Sequence, residues 1–208
     1  MLALGYSEAF QNYAQPASVN IVQVIELSKE LQQMILDREI GEVWRSSDVN
    51  LNLFLSAASR HAETFVEAIE LVEALAAAGT GLQFSLEQNS SHVDPLLLTG
   101  NYPELSNLYL QMRLYEKEYL LTRKRPSMQA AFNMAGKLND AVVSDLTMSE
   151  EEKIQVQAYL GNYLEIAEQI LVQDVALQSK LNEFDLQAKA IDPVTADLVR
   201  LTETEIEM

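Results

Sequence analysis

At 208 residues the chain can bury one substantial core or two small ones, and with 48% hydrophobic and 22% charged residues it is composed like a folded, globular protein rather than a disordered one. Thirty-one acidic residues against 14 Lys and Arg give a formal net charge of −17, which repels phosphate backbones and anionic membrane surfaces unless a local basic patch overrides the field. Without cysteine there is no disulfide framework and no thiolate chemistry, and either redox compartment is compatible.

The start, "MLALGYSEAF", has no basic region and too short an apolar run for a signal peptide. A short amphipathic helix is expected before Pro16. A second follows in "VNIVQVIELSKELQQMILDREI", where Val24, Leu27, Leu31 and Met34 recur at helical spacing and the pattern stops near Gly41. After "SSD", the positions Leu51, Leu55, Ala58, Ala62, Phe65, Ile69, Val72 and Ala76 predict a long helix over about 49–89, weakened near its end by Gly79 and Gly81. Its most apolar window contains Glu70 and Glu73 and does not read as a membrane span. An extended loop is expected over about 90–102.

Two shorter helices come next, "NLYLQMRLYEKEYLL" between Pro103 and Pro126, and "MQAAFNMAGKLNDAVVSDL" up to residue 149. Ser149 with Glu152 three residues on is a capping-box signature. Beyond it Val156, Leu160, Tyr163, Ala167, Ile170, Asp174, Leu177, Leu181, Phe184, Ala188 and Ile191 hold a 4,3,4,3 spacing without a slip, predicting a second long helix over 149–191. Strand alternation is nowhere convincing. The expectation is an all-α chain of six helices, two long and four short. Helices of roughly 60 Å cannot be flanked over their length by helices of roughly 30 Å, so two stacked up-down four-helix bundles sharing the long helices are expected.

Charge singles out one stretch. Arg113, Lys117, Arg123, Lys124 and Arg125 are five of the 14 bases and fall within thirteen positions. On a helical wheel Leu105, Leu108, Met112, Tyr115 and Tyr119 form one apolar stripe, and Leu110, Leu114 and Leu121 form another roughly opposite, which suggests burial on both sides. Arg113, Glu116 and Lys117 lie on the flank between them, with Tyr109 and Leu120. Two readings follow: an Arg113–Glu116 pair that locks the fold, or a cationic pocket for an anion. Arg123, Lys124 and Arg125 precede Pro126 in a turn and are expected to be solvated. Asp174 is the one charged position in the eleven-residue seam. A slight rotation bringing Leu171 and Val175 into the core would relieve it; a buried partner such as His61 or Arg60, or a switch role, are the alternatives. Arg60 and His61 beside small alanines, with Tyr159 and Tyr163 one turn apart on the last helix, could form a second polar ligand pocket, against which stands ordinary packing.

Catalytic signals are missing. The two histidines are 31 positions apart and in neither H-E-x-x-H nor E-x-x-H spacing, so no metal site is expected. No G-x-S-x-G, cysteine nucleophile or phosphate loop is present, and neither an enzyme nor a cofactor is expected.

The segment "RLYEKEYLL", Arg113 to Leu121, resembles the R-x-x-E-K-[DE]-[FY]-L-L signature of the helical bimodular sensor domains of bacterial chemoreceptors and sensor histidine kinases. The tail "FDLQAKAIDPVTADLV" is similar to the stretch that leads those domains back into a membrane helix. The resemblance implies a non-catalytic, extracytoplasmic (periplasmic) domain between two membrane helices, with a possible homodimer. Its membrane-proximal bundle would take residues 1–65 and 175–208, and its distal bundle 66–174. The implied partners are a small organic anion or a periplasmic binding protein, with no nucleic acid. Some members bind carboxylates through arginines near the membrane end, but here no Lys or Arg precedes Lys29. The alternative is a soluble helical scaffold or adaptor that binds a protein partner.

Overall fold

The computed structural model describes residues 51–77 and 79–206, preceded by the helical positions Val22, Gln23, Glu26, Lys29, Glu30 and Gln33. These six positions are all exposed and share one helical face. The apolar stripe expected beside them, Val24 to Met34, and the helix expected before Pro16 lie outside the described residues. Six helices follow: α1 (Leu51–Ala76), α2 (Leu82–Ser91), α3 (Asp94–Thr99), α4 (Pro103–Thr122), α5 (Arg125–Ser144) and α6 (Glu150–Ile206). The fold is all-α, with no strand among the described residues.

α4, α5 and the start of α6 fall where the periodicity predicts them, while other boundaries differ. The expected helix over 49–89 breaks at its glycines, because Gly79 adopts a left-handed φ of 83° and Gly81 folds back so that its amide donates to the Ala77 carbonyl at 2.8 Å. A Cβ on Gly81 would lie 2.6 Å from the Ala77 nitrogen, so a side chain there is excluded. The expected loop at 90–102 instead contains α3, with a proline at its start and Gly100 just past its end. Val93 and Leu97 from this stretch are buried, which explains why it is ordered into a helix rather than left as a loop. The last helix does not stop near residue 191 but passes through Pro193 to Ile206.

By internal contacts the chain forms two compact units, one of Met1–Ala74 with Asp174–Met208, the other of Leu75–Gln173. In the second unit, α4 and α5 form a helical hairpin across two residues. Arg123 caps α4 in the left-handed region with φ 55°, its amide donating to the Tyr119 carbonyl at 2.7 Å, and Pro126 sits in the first turn of α5. Each helix contributes a heptad-spaced seam to the core: Leu105, Tyr109, Met112, Glu116 and Tyr119 on α4; Met128, Ala131, Ala135, Leu138 and Val142 on α5; Val156, Leu160, Tyr163, Ala167 and Ile170 on α6. The α4 seam is rotated from the expected one, with Tyr109 and Glu116 inside and Leu108 and Tyr115 half-buried. Its opposite stripe is not buried at all: Leu110, Leu114 and Leu121 are 53%, 65% and 68% exposed. The α6 start is held by a reciprocal cap, Ser149 N donating to Glu152 Oε2 at 2.8 Å and Glu152 N to Ser149 Oγ at 3.2 Å.

In the first unit α1 and α6 meet through Phe65, Phe184 and a polar seam in which Gln187 Nε2 donates to Thr64 Oγ1 at 3.1 Å. Here burial along α6 is partial. Asp174 and Leu171 are half-buried and Val175 is 47% exposed, so the helix does not rotate to bring Val175 into the core as expected.

Candidate functional site

A charge stands in the middle of an apolar seam. Position 116 belongs to the α4 core stripe by spacing, and Glu116 is accordingly 0% exposed. Burying a carboxylate there is sustainable because Arg113, one turn earlier on the same helix, donates through Nη1 to Glu116 Oε2 at 2.7 Å. From α2, Glu87 Oε2 accepts from Arg113 Nη2 at 2.9 Å and also from Lys117 Nζ. Lys117 Nζ stands 3.7 Å from Glu116 Oε1, outside hydrogen-bond range. The cluster thus alternates two cations with two carboxylates.

Three tyrosines line the cluster's inner side. Tyr109 lies edge-on to Tyr159 with ring centroids 5.9 Å apart, and Tyr159 is followed by Tyr163 at 6.0 Å. The Tyr109 hydroxyl donates to Asp94 Oδ1 at the start of α3. Asn89 of α2 anchors α6 by donating to the Tyr159 carbonyl at 3.2 Å. The Tyr159 and Tyr163 hydroxyls and Glu116 Oε1 are sealed from solvent and have no hydrogen-bond partner. The Tyr159 hydroxyl also acts on the Tyr109 hydroxyl, pulling its pKa down against the effect of burial.

Electrostatics follow from this arrangement. Burial pushes the Glu116 carboxyl above its ordinary range, with Arg113 and Lys117 pulling the other way. Burial likewise raises the Tyr159 and Tyr163 hydroxyls. Burial works against the Arg113 charge, yet Glu116 and the neighbouring tyrosines and Glu87 outweigh it and hold the guanidinium firmly ionised. Glu87, held by the Lys117 ammonium, is kept below the usual carboxylate range.

No protein-family model matches the chain, and neither curated proteins nor solved structures give a match.

Arg60 and His61, expected to share a pocket with Tyr159 and Tyr163, have other partners. Arg60 Nε donates to Glu183 Oε1 at 3.1 Å from a largely exposed position. The His61 ring stacks on Phe184 at 3.8 Å, and burial lowers its pKa, with the Phe184 backbone pulling the other way. Its Nδ1 is buried without a partner, as is Gln187 Oε1. Both pairings join α1 to α6 within the first unit, whereas Tyr159 and Tyr163 belong to the second. Arg123, Lys124 and Arg125 are exposed, with the Arg123 guanidinium 5.9 Å from the Tyr119 ring centroid. Among the described residues no group of three His, Asp or Glu side chains could hold a metal ion, and no helix is long and apolar enough to cross a membrane.

Sequence reasoning missed Glu87, Tyr109, Asp94 and Asn89. For Tyr109 a signal existed, since the 4,3,4,3 run from Leu105 to Tyr119 passes through both Tyr109 and Glu116. Glu87 carries no such mark, because its pairing across 26 residues with Arg113 is made by tertiary packing alone.

Proposed function

We propose that the chain is the extracytoplasmic, periplasmic sensing domain of a transmembrane signalling receptor of the chemoreceptor or sensor histidine kinase class, non-catalytic in itself. Binding of a small ligand or a periplasmic binding protein biases two packings of the helices and displaces α6. The observation that carries this reading is the buried polar cluster of the second unit. Its α4 portion is the "RLYEKEYLL" segment, and its unmatched hydroxyls belong to α6, the helix that continues through the first unit to Ile206. A ligand that engages Tyr159 and Tyr163 acts directly on that helix.

A second reading has its own support: the exposed Leu110, Leu114 and Leu121 stripe on α4 would suit a helical scaffold that presents this face to a protein partner. The experiment that separates them is a chimaera. Residues 1–208 are placed between the two membrane helices of a receptor kinase with a measurable output, and the complete gene is checked for apolar spans on either side. Sensing predicts flanking spans and an output that responds to small molecules or periplasmic extract. A silent chimaera and a gene without flanking spans would favour the scaffold.

A further inference from the structure

The α4–α5 hairpin carries a groove that its core does not account for. The groove has a volume of about 520 Å³, within the range of small-molecule sites at roughly 300–1,000 Å³. Tyr115 of α4 with Phe132 and Met134 of α5, all half-buried, give it apolar walls, and Asn133, Lys137 and Asp140 of α5 supply exposed polar heads. Gly136 lies among them in the interior of α5, where a glycine weakens a helix. Packing does not ask for it, since a Cβ built there would meet no atom within 4 Å. What the missing side chain leaves is an open notch among the polar heads.

The charges at the groove are of both signs and are not matched with each other. Lys137 and Asp140 are three residues apart on one helix, close enough to pair, yet among the described residues neither forms an ion pair. The same spacing is used elsewhere in the second unit, where Lys153 Nζ meets Glu150 Oε1 at 3.0 Å. A ligand with a negative charge alone would meet Asp140 here, and one with a positive charge alone would meet Lys137. We propose that the groove binds an α-amino acid with an apolar side chain, a zwitterion that answers both charges from a single carbon. Its carboxylate is taken by Lys137 and by the amide nitrogen of Asn133, whose oxygen already accepts from Gln129 Nε2 at 3.4 Å. Its ammonium is taken by Asp140, its α-carbon lies over Gly136, and its side chain turns to the apolar walls. None of these residues belongs to the buried polar cluster, so the site stands beside the one that the sensing reading uses.

Amide NMR of the purified, isotope-labelled chain tests the assignment with three ligands of one shape: L-leucine, isocaproate, which lacks the ammonium, and isoamylamine, which lacks the carboxylate. L-leucine should shift the amides of residues 133–140 saturably at millimolar concentrations. Each analogue should bind about fivefold more weakly, the upper end of what an exposed ion pair contributes. Lys137→Gln should bring L-leucine down to the level of isoamylamine, and Asp140→Asn should bring it down to that of isocaproate. Gly136→Leu should abolish the shifts with the fold intact and Tm no lower than that of the wild type, because the added side chain has room and a helix interior favours leucine over glycine. Equal binding of L-leucine and either analogue would overturn the zwitterion assignment. Shifts that survive in Gly136→Leu, or no saturable shift with L-leucine, would overturn the site itself. Failure of the sensing reading looks different: the chimaera stays silent although L-leucine still binds the purified chain.

Discussion

Replacing Arg113 by alanine should strongly destabilise the second unit, and its cost should depend on pH in a defined way. Two interactions go. The one with Glu87 joins a half-screened partner, 60% exposed, and is worth well under about 1 kcal/mol. The other leaves Glu116, at 0% exposure, with no bonded cation and Lys117 at 3.7 Å as its nearest relief. Breaking a buried pair by removing one partner costs roughly 3–5 kcal/mol if the stranded charge persists. Glu116 can escape by taking a proton, and from its ordinary value of 4.5 that costs about 3.4 kcal/mol at pH 7, at about 1.36 kcal/mol per pH unit. The expected loss at pH 7 is therefore about 3 kcal/mol.

The sign of the pH dependence is fixed by the raised carboxyl. A carboxyl whose folded pKa lies above its unfolded one makes the native state bind more protons, so stability rises as pH falls towards the unfolded value. Without Arg113 to oppose burial the effect is larger in the variant, and its deficit should shrink to about 1 kcal/mol near pH 5. Urea denaturation followed at 222 nm, at pH 7 and pH 5, measures both numbers. A deficit below about 1 kcal/mol at pH 7, or one that does not change between the two pH values, would refute the account of a charge buried on the strength of one partner. As an internal check, Arg113→Leu combined with Glu116→Leu should recover most of the loss.

Three further outcomes follow from the same structure. Replacing Arg123, Lys124 and Arg125 together by glutamine should cost less than about 1 kcal/mol in chemical denaturation, because all three are exposed. Ser149→Ala removes the acceptor for the Glu152 amide and should lower stability by about 1 kcal/mol; an unchanged urea midpoint would mean that the α6 start does not depend on its cap. Substituting Leu110, Leu114 and Leu121 by glutamine should leave the melting temperature within a degree or two of the wild type, since these side chains contribute little to the core. A drop of several degrees would show instead that the stripe is covered in solution.

What could be read from the sequence was whatever is local. The Ser149 cap, the prolines that bracket α4 and the α6 seam as far as Ile170 each depend on residues within a few turns of one another. Periodicity became misleading where a charge interrupted it. A wheel drawn through apolar residues alone puts Glu116 and Tyr109 on a flank, although the 4 and 3 spacing of Glu116 from Met112 and Tyr119 fits the seam. The break after α1 was visible only as a weakness. A glycine inside a helix costs about 1 kcal/mol and is often tolerated, so two of them do not by themselves announce that one will turn left-handed. The mirror case is the last helix, expected over 149–191, which continues past Pro193 to Ile206. Exposure of the second leucine stripe could not be inferred, because an apolar pattern says which side chains would gain from burial and not whether a neighbour exists to bury them.

The two-residue link between α4 and α5 has a bearing on the order in which the chain acquires its structure. Contacts across so short a connection are made at little loop-closure cost, so this hairpin is placed to form early, ahead of partners such as Glu87 and Tyr159 that must arrive from 29 and 43 positions away from Glu116. Arg113 and Glu116 are three residues apart on one of its helices and can meet while that helix is still wet. The carboxylate is then already neutralised when α2 and α6 close over it, and the chain never has to dehydrate a lone charge on the way to its core. Substitutions that weaken the hairpin should consequently slow folding, whereas Tyr159→Phe should act mainly on unfolding.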